Sequence, residues 1–153
     1  YVPQDIHLFR NSIKNNILGN YKFVDDEWML ECSKISGTDE FVKLHPMGYD
    51  MPIGERGAGL SGGQRQSVGI ARALINDSNI WLFDEPTNAM DQTSENHILT
   101  NLKENIENRT LLLVTQKMNM LDLVTRIIVM NNGEKILDDE KIEVIRKLGA
   151  NNG

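Results

Sequence analysis

Two short, continuous apolar runs with a helical stripe between them constrain this chain more than any other feature. Residues 79–83 and 110–115 are strand-length and carry no polar alternation. Between them, residues 91–108 place Ile98, Leu102 and Ile106 at a spacing of four, which is one face of a helix. Continuous apolar strands suit a parallel sheet buried on both faces. The first run leads straight into Asp84-Glu85. Two carboxylates are therefore expected at the carboxyl edge of a sheet, where α/β proteins bind ligands.

The first half of the chain reads as helices. Residues 12–18 form a short one with Ser12 as its N-cap. Residues 25–36 form another, whose acidic start, Asp25-Asp26-Glu27, suits the positive end of a helix dipole. Trp28, Cys32 and Ile35 recur on it at helical spacing and are expected in the core. A short helix over 38–44 stops before Pro46, and 47–59 is a glycine-bearing loop. Ser61 opens a helix to about residue 76, with Val68, Ala71 and Ile75 facing inward. After the second strand, 127–130 and 135–137 flank Asn131-Asn132-Gly133, a strong hairpin signal, and 141–148 closes the chain as a helix.

Composition excludes several functions. The 153 residues carry 16 basic and 22 acidic side chains, a net charge of −6, which argues against a nucleic-acid binder with a basic face. A single cysteine, Cys32, precludes an internal disulfide and fits a reducing compartment. No apolar run approaches the roughly 20 residues of a membrane-spanning helix, so any membrane is met through another domain or chain. His7, His45 and His97 are scattered and lack metal-ligand spacing.

The chemistry concentrates in Leu60-Ser61-Gly62-Gly63-Gln64. A helix N-terminus presents unpaired N–H groups and a partial positive charge. Ser61 adds a hydroxyl there, and Gly62 and Gly63 let backbone approach a phosphate closely. By itself Ser-Gly-Gly reads sooner as a helix cap behind a flexible turn. Twenty residues on comes Ile80-Trp81-Leu82-Phe83-Asp84-Glu85-Pro86. Together the two stretches resemble the signature and Walker B motifs of an ATP-binding cassette (ABC) ATPase. The phosphate-cradling G-x-x-x-x-G-K-[ST] string is absent, and the chain has no Gly-Lys pair. The chain therefore reads as the C-terminal part of a longer protein. The expected fold is α/β, a partial P-loop NTPase: a helical signature subdomain over 1–78, then half of a mostly parallel sheet core over 79–153.

The resemblance implies ATP and Mg²⁺ as cofactors. Leu60, Ser61, Gly62, Gly63 and Gln64 would close over ATP held by a second nucleotide-binding domain, in a head-to-tail dimer. Asp84 would hold Mg²⁺, directly or through water, and Glu85 would be the general base that activates the attacking water. Tyr1-Val2-Pro3-Gln4-Asp5 resembles the Q-loop, so Gln4 would offer its amide oxygen to Mg²⁺ or the lytic water. Asn88-Ala89-Met90-Asp91 lies where the D-loop does, and Asp91 would couple the two sites. It would equally cap the next helix. The family's switch position commonly carries His after Val-Thr, whereas here Val114-Thr115 precedes Gln116. Glutamine can still hydrogen-bond a γ-phosphate but carries no positive charge, so slower turnover is expected. Lys117 is a candidate to compensate.

Ile53-Gly54-Glu55-Arg56-Gly57 resembles the X-loop of ABC exporters, which contacts the membrane domain. Residues 41–50 and 120–126 resemble type I secretion ATPases, which export large repeat-containing proteins. That implies a transmembrane domain, a periplasmic adaptor and an outer-membrane channel as partners, no nucleic acid, and a place at the cytoplasmic face of the bacterial inner membrane. Two alternatives stand beside it. One is a non-catalytic or regulatory remnant lending its signature to a partner. The other is an exporter of lipid, drug or peptide.

Overall fold

The computed structural model describes residues 1–21 and 23–150. The chain divides into two compact units, Tyr1–Thr115 and Gln116–Gly153.

In chain order the first unit contains β1 (Asn11–Ser12), α1 (Ile13–Leu18), α2 (Asp26–Ile35), α3 (Thr38–Val42), β2 (Pro52–Ile53), α4 (Gly62–Leu74), β3 (Ile80–Asp84), α5 (Gln92–Asn105) and β4 (Thr110–Val114). Helices α1, α2 and α3 pack around α4. Their shared core holds Ile13, Ile17, Met29, Cys32, Ile35, Val68, Ile70, Ala71 and Leu74, all buried. Ser12 caps α1 by accepting the Asn15 N–H, and Asp25 caps α2 by accepting that of Glu27. Burial pushes the Cys32 thiol up to about 12, so it stays a protonated core residue. Trp28 is only half-buried, because its indole N–H reaches out 3.1 Å to the Ile75 carbonyl that ends α4.

The expected loop over 47–59 holds more structure than its composition suggests. Pro52–Ile53 forms β2, paired antiparallel with β1 in the register Asn11↔Ile53 and Ser12↔Pro52. Short 3-10 turns flank it at Gly48–Asp50 and Glu55–Gly57. Two-residue strands have no period to detect. Helix α4 stops at Leu74, and Asp77 follows with a left-handed backbone (φ 44°).

Strands β3 and β4 pair in parallel from Ile80↔Thr110 to Asp84↔Val114. Val2 lines the other edge of β3: its N–H donates to the Leu82 carbonyl (2.8 Å), and its own carbonyl accepts the Asp84 N–H (2.9 Å). The expectation of burial on both faces holds for one face only. Trp81 and Phe83 are buried and stack at 5.8 Å, whereas Ile80 (58% exposed), Leu82 (39%), Leu112 (57%) and Val114 (57%) face outward. Apolar residues on both faces are what a strand needs for two-sided cover. Among the described residues, the outward set lacks it.

The second unit begins with a 3-10 turn, Met118–Leu123, followed by β5 (Arg126–Asn131), β6 (Glu134–Glu140) and α6 (Lys141–Ala150). The hairpin turns at Asn132 (φ 48°) and Gly133 (φ 81°), as the Asn-Gly pair predicts. It is longer than the apolar pattern suggests. Strand β6 continues through Asp138 and Asp139, which Arg126 (2.8 Å), Lys135 (3.0 Å) and Lys147 (2.8 Å) neutralise.

Candidate functional site

The site is built at the carboxyl end of β3. Asp84 and Glu85 are both half-buried there. Glu85 takes a left-handed backbone (φ 46°), which costs a non-glycine residue on the order of 1–3 kcal/mol. Two main-chain groups and one side-chain amide hold its backbone. Its N–H donates to the Val114 carbonyl (2.9 Å), and its carbonyl accepts the Asn88 N–H (3.2 Å) and the Gln66 amide N–H (3.3 Å). The carboxylate lies 3.4 Å from the Thr115 hydroxyl.

The start of α4 lies against the segment that follows. Ser61 caps this helix: its hydroxyl oxygen accepts the Gln64 N–H (3.1 Å), and the Gln64 side-chain oxygen accepts the Ser61 N–H (2.9 Å). This reciprocal box satisfies two otherwise unpaired donors. Leu60 is buried, and its carbonyl accepts from Arg65 (2.8 Å). A Cβ on Gly62 would stand 2.9 Å from the Ala89 Cβ, and one on Gly63 3.2 Å from the Ala89 carbonyl oxygen. The sequence suggested that these glycines leave room for a phosphate. Within this chain they already leave room for residues 89–90.

Asp91 is the N-cap of α5. Its carboxylate accepts the N–H groups of Thr93 and Ser94 and the Ser94 hydroxyl (2.8 Å). The Ser94 N–H and hydroxyl are the main reasons the carboxyl is held below its ordinary 3.8. Of the two readings of Asp91, the helix cap is therefore realised in the chain by itself.

Gln4 follows Val2 along the edge of β3 and is exposed. It lines a cavity of about 640 Å³ together with His7, Glu55, Arg56, Gly62 and Ala89. The Q-loop-like, X-loop-like, signature-like and D-loop-like stretches, distant in sequence, thus meet around one hollow. Gln116 opens the second unit and is exposed. Among the described residues no group of three or more His, Cys, Asp or Glu could hold a metal. Mg²⁺ does not need one, since it keeps several waters and takes one or two carboxylates plus substrate phosphates. Asp84 ends β3 with a carboxylate oxygen, and Gln4, in the bend two residues after the Val2 bridge, has an amide oxygen; both are the hard oxygen donors that Mg²⁺ takes.

Sequence reasoning missed three residues that hold this site. Gln66 is 4% exposed and spans from the Glu85 carbonyl to the Ala89 N–H (2.8 Å). Position 66 lies off the Val68, Ala71 and Ile75 stripe, so nothing in the sequence marks it as buried, although residues 66–71 of α4 all are. Arg72 donates to the carbonyls of Asn16 (2.7 Å) and His7 (2.9 Å), tying the segment after Gln4 to α4. Thr87 donates its hydroxyl to buried Glu95 (3.0 Å), fixing the turn after Glu85 on α5.

The family model for ABC transporter matches residues 1–88. The leukotoxin export ATP-binding protein LtxB of Aggregatibacter actinomycetemcomitans is 39% identical over 145 residues, which are 95% of this chain and 20% of that protein. The alpha-hemolysin translocation ATP-binding protein HlyB of Escherichia coli O157:H7 is 38% identical over 146 residues, 95% of this chain and 21% of that protein. The chain thus spans about a fifth of the length of these relatives. The solved structure of a bacterial Atm1-family ABC exporter with ATP bound superposes with a TM-score of 0.88 at 32% identity, covering 97% of this chain and 26% of that one. The folded core, the meeting of the motifs and these likenesses agree, and the chain belongs to the ABC transporter family.

Proposed function

We propose that this chain is the signature-bearing part of the ATPase domain of a bacterial exporter of the type I secretion kind. In the full-length protein it hydrolyses ATP with Mg²⁺ and drives a transmembrane domain. The observation that carries the reading is the packing of the Ser61–Gln64 helix start against residues 89–90, with Gln66 reaching from that helix to Glu85. A phosphate-binding helix end and a carboxylate at a strand end are thereby fixed to each other. The toxin-export names of the relatives support protein as the cargo.

In this reading Ser61, Gly62 and Gly63 face the γ-phosphate of ATP on a second nucleotide-binding domain, with Leu60 and Gln64 shaping that end. Glu85 orients and deprotonates the attacking water, and Gln116 hydrogen-bonds the γ-phosphate. Asp84, directly or through water, and Gln4 would hold Mg²⁺, which when bound would neutralise charge on the phosphates. Asp91 meets the opposite domain while it caps α5. Residues 1–78 act as the subdomain that touches the transport machinery, and 79–153 belong to the catalytic core. The cavity beside Gln4 and Arg56 receives a segment of the transmembrane domain. An adaptor and an outer-membrane channel complete the assembly at the cytoplasmic face of the inner membrane.

Gln116 favours one competing reading, a non-hydrolysing half that lends its signature to a partner. An antibody against this segment, applied to fractionated source cells, separates the two. The exporter reading expects a band several times larger than 17.3 kDa in the inner membrane. A soluble band near 17.3 kDa would overturn it in favour of the remnant.

A further inference from the structure

Residues 60–66 and 85–91 are held together by more than packing. The Gln66 side chain is buried, and the nitrogen and oxygen of its amide bond main-chain groups at two points of the turn over 85–90. Its N–H donates to the Glu85 carbonyl (3.3 Å), and its oxygen accepts the Ala89 N–H (2.8 Å). Between those points the Asn88 N–H returns to the Glu85 carbonyl (3.2 Å) and the Met90 N–H to the Thr87 carbonyl (3.1 Å). Four residues before Gln66 on the same helix, Gly62 admits the Ala89 side chain at a distance no larger residue would allow. The helix start, the backbone of Glu85 and the turn at 88–91 therefore share one set of constraints.

We propose that Gln66 is a positioning residue that locks these three parts into one rigid piece. The proposal rests on the reading of Glu85 as the base. Glu85 sits at φ 46°, a conformation it keeps only under restraint from outside its own strand. Beside the Val114 and Asn88 bonds, Gln66 adds restraint from the helix whose N-terminus would meet the second domain's ATP. A displacement of that helix end toward a phosphate then carries the Glu85 backbone and Ala89 with it. Engagement of the signature and alignment of the base become a single movement. Without the amide, the helix could engage ATP while the turn at 85–89 stays free to relax.

The test uses the full-length membrane protein with two substitutions. Gln66→Leu removes both hydrogen bonds at similar volume, and Gln66→Glu keeps the acceptor for Ala89 but loses the donor to Glu85. For Gln66→Leu the expected result is a kcat lower by about tenfold or more, with KM for ATP changed by no more than about twofold. Amide exchange should accelerate by about tenfold at residues 87–90 and stay unchanged at 68–74. In a Glu85→Gln background, Gln66→Leu should cost no further turnover, because the two act through one element. A kcat within about twofold of wild type, additive losses with Glu85→Gln, or equal loss of protection along α4 would each overturn the proposal. Should Gln66→Leu fail to fold, Gln66→Glu decides: lowered kcat with Ala89 still protected supports the lock, and unchanged kcat overturns it. A wild-type protein without any turnover would count against the hydrolysis reading, and exchange at Ala89 would still decide the lock.

Discussion

Glu85 and Ser61 show how much of this site depends on single backbone details. Ser61 and Gln64 close a capping box, so Ser61→Ala should destabilise the first unit by about 1 kcal/mol, read as a lower urea midpoint. Gly62→Ala should cost at least as much, because its methyl would press on the Ala89 Cβ. Asp91 brings a pH dependence. Its folded-state carboxyl lies below 3.8, so its stabilisation is complete above that value and is lost as the pH falls below it. Asp91→Asn should flatten the acid limb of the stability profile and leave the neutral region nearly unchanged. Gln116→His should raise turnover of the full-length protein, since a cation at that position stabilises developing phosphate charge. Unchanged or lower turnover would refute the idea that glutamine limits the rate. The caps at Ser12, Ser61 and Asp91 were legible because side-chain oxygens precede periodic helices. Gln66 and Arg72 were not, because their partners lie 19 or more residues away in the chain.

At the scale of elements, β3, α5, β4 and the hairpin of β5 and β6 follow from apolar runs, a spacing of four and an Asn-Gly turn. The β1 and β2 pair did not, since two residues carry no period and the register is fixed by distant contacts. The continuous apolar runs of β3 and β4 predict cover on both faces, yet one face is open in the first unit. Ile80, Leu82, Leu112 and Val114 form a contiguous set there, by register and alternation. Such a patch is a surface that seeks cover. The 153-residue chain studied alone should bind an apolar dye strongly and tend to associate. Leu112→Lys combined with Val114→Lys should reduce both. A monomer with a sharp cooperative melt and little dye binding would contradict this.

Across the whole molecule, the family was legible because its chemistry is carried by contiguous motifs. Leu60–Gln64 and Asp84–Glu85 each sit in one stretch, and their spacing matches a helix followed by a strand. The proposed cargo rests on resemblance alone; among the described residues no helix is long and apolar enough to cross a membrane. The proposed assembly stands on Glu85 acting as the base of a site completed by a second domain. The most direct measurement is ATP turnover of the full-length protein in membranes, compared with its Glu85→Gln variant, with ATP binding followed in parallel. Turnover should fall by about a hundredfold or more with ATP affinity retained, because the substitution keeps the shape and removes the proton acceptor. Turnover that survives Glu85→Gln unchanged would contradict the assignment of the base and, with it, the mechanism proposed for this chain.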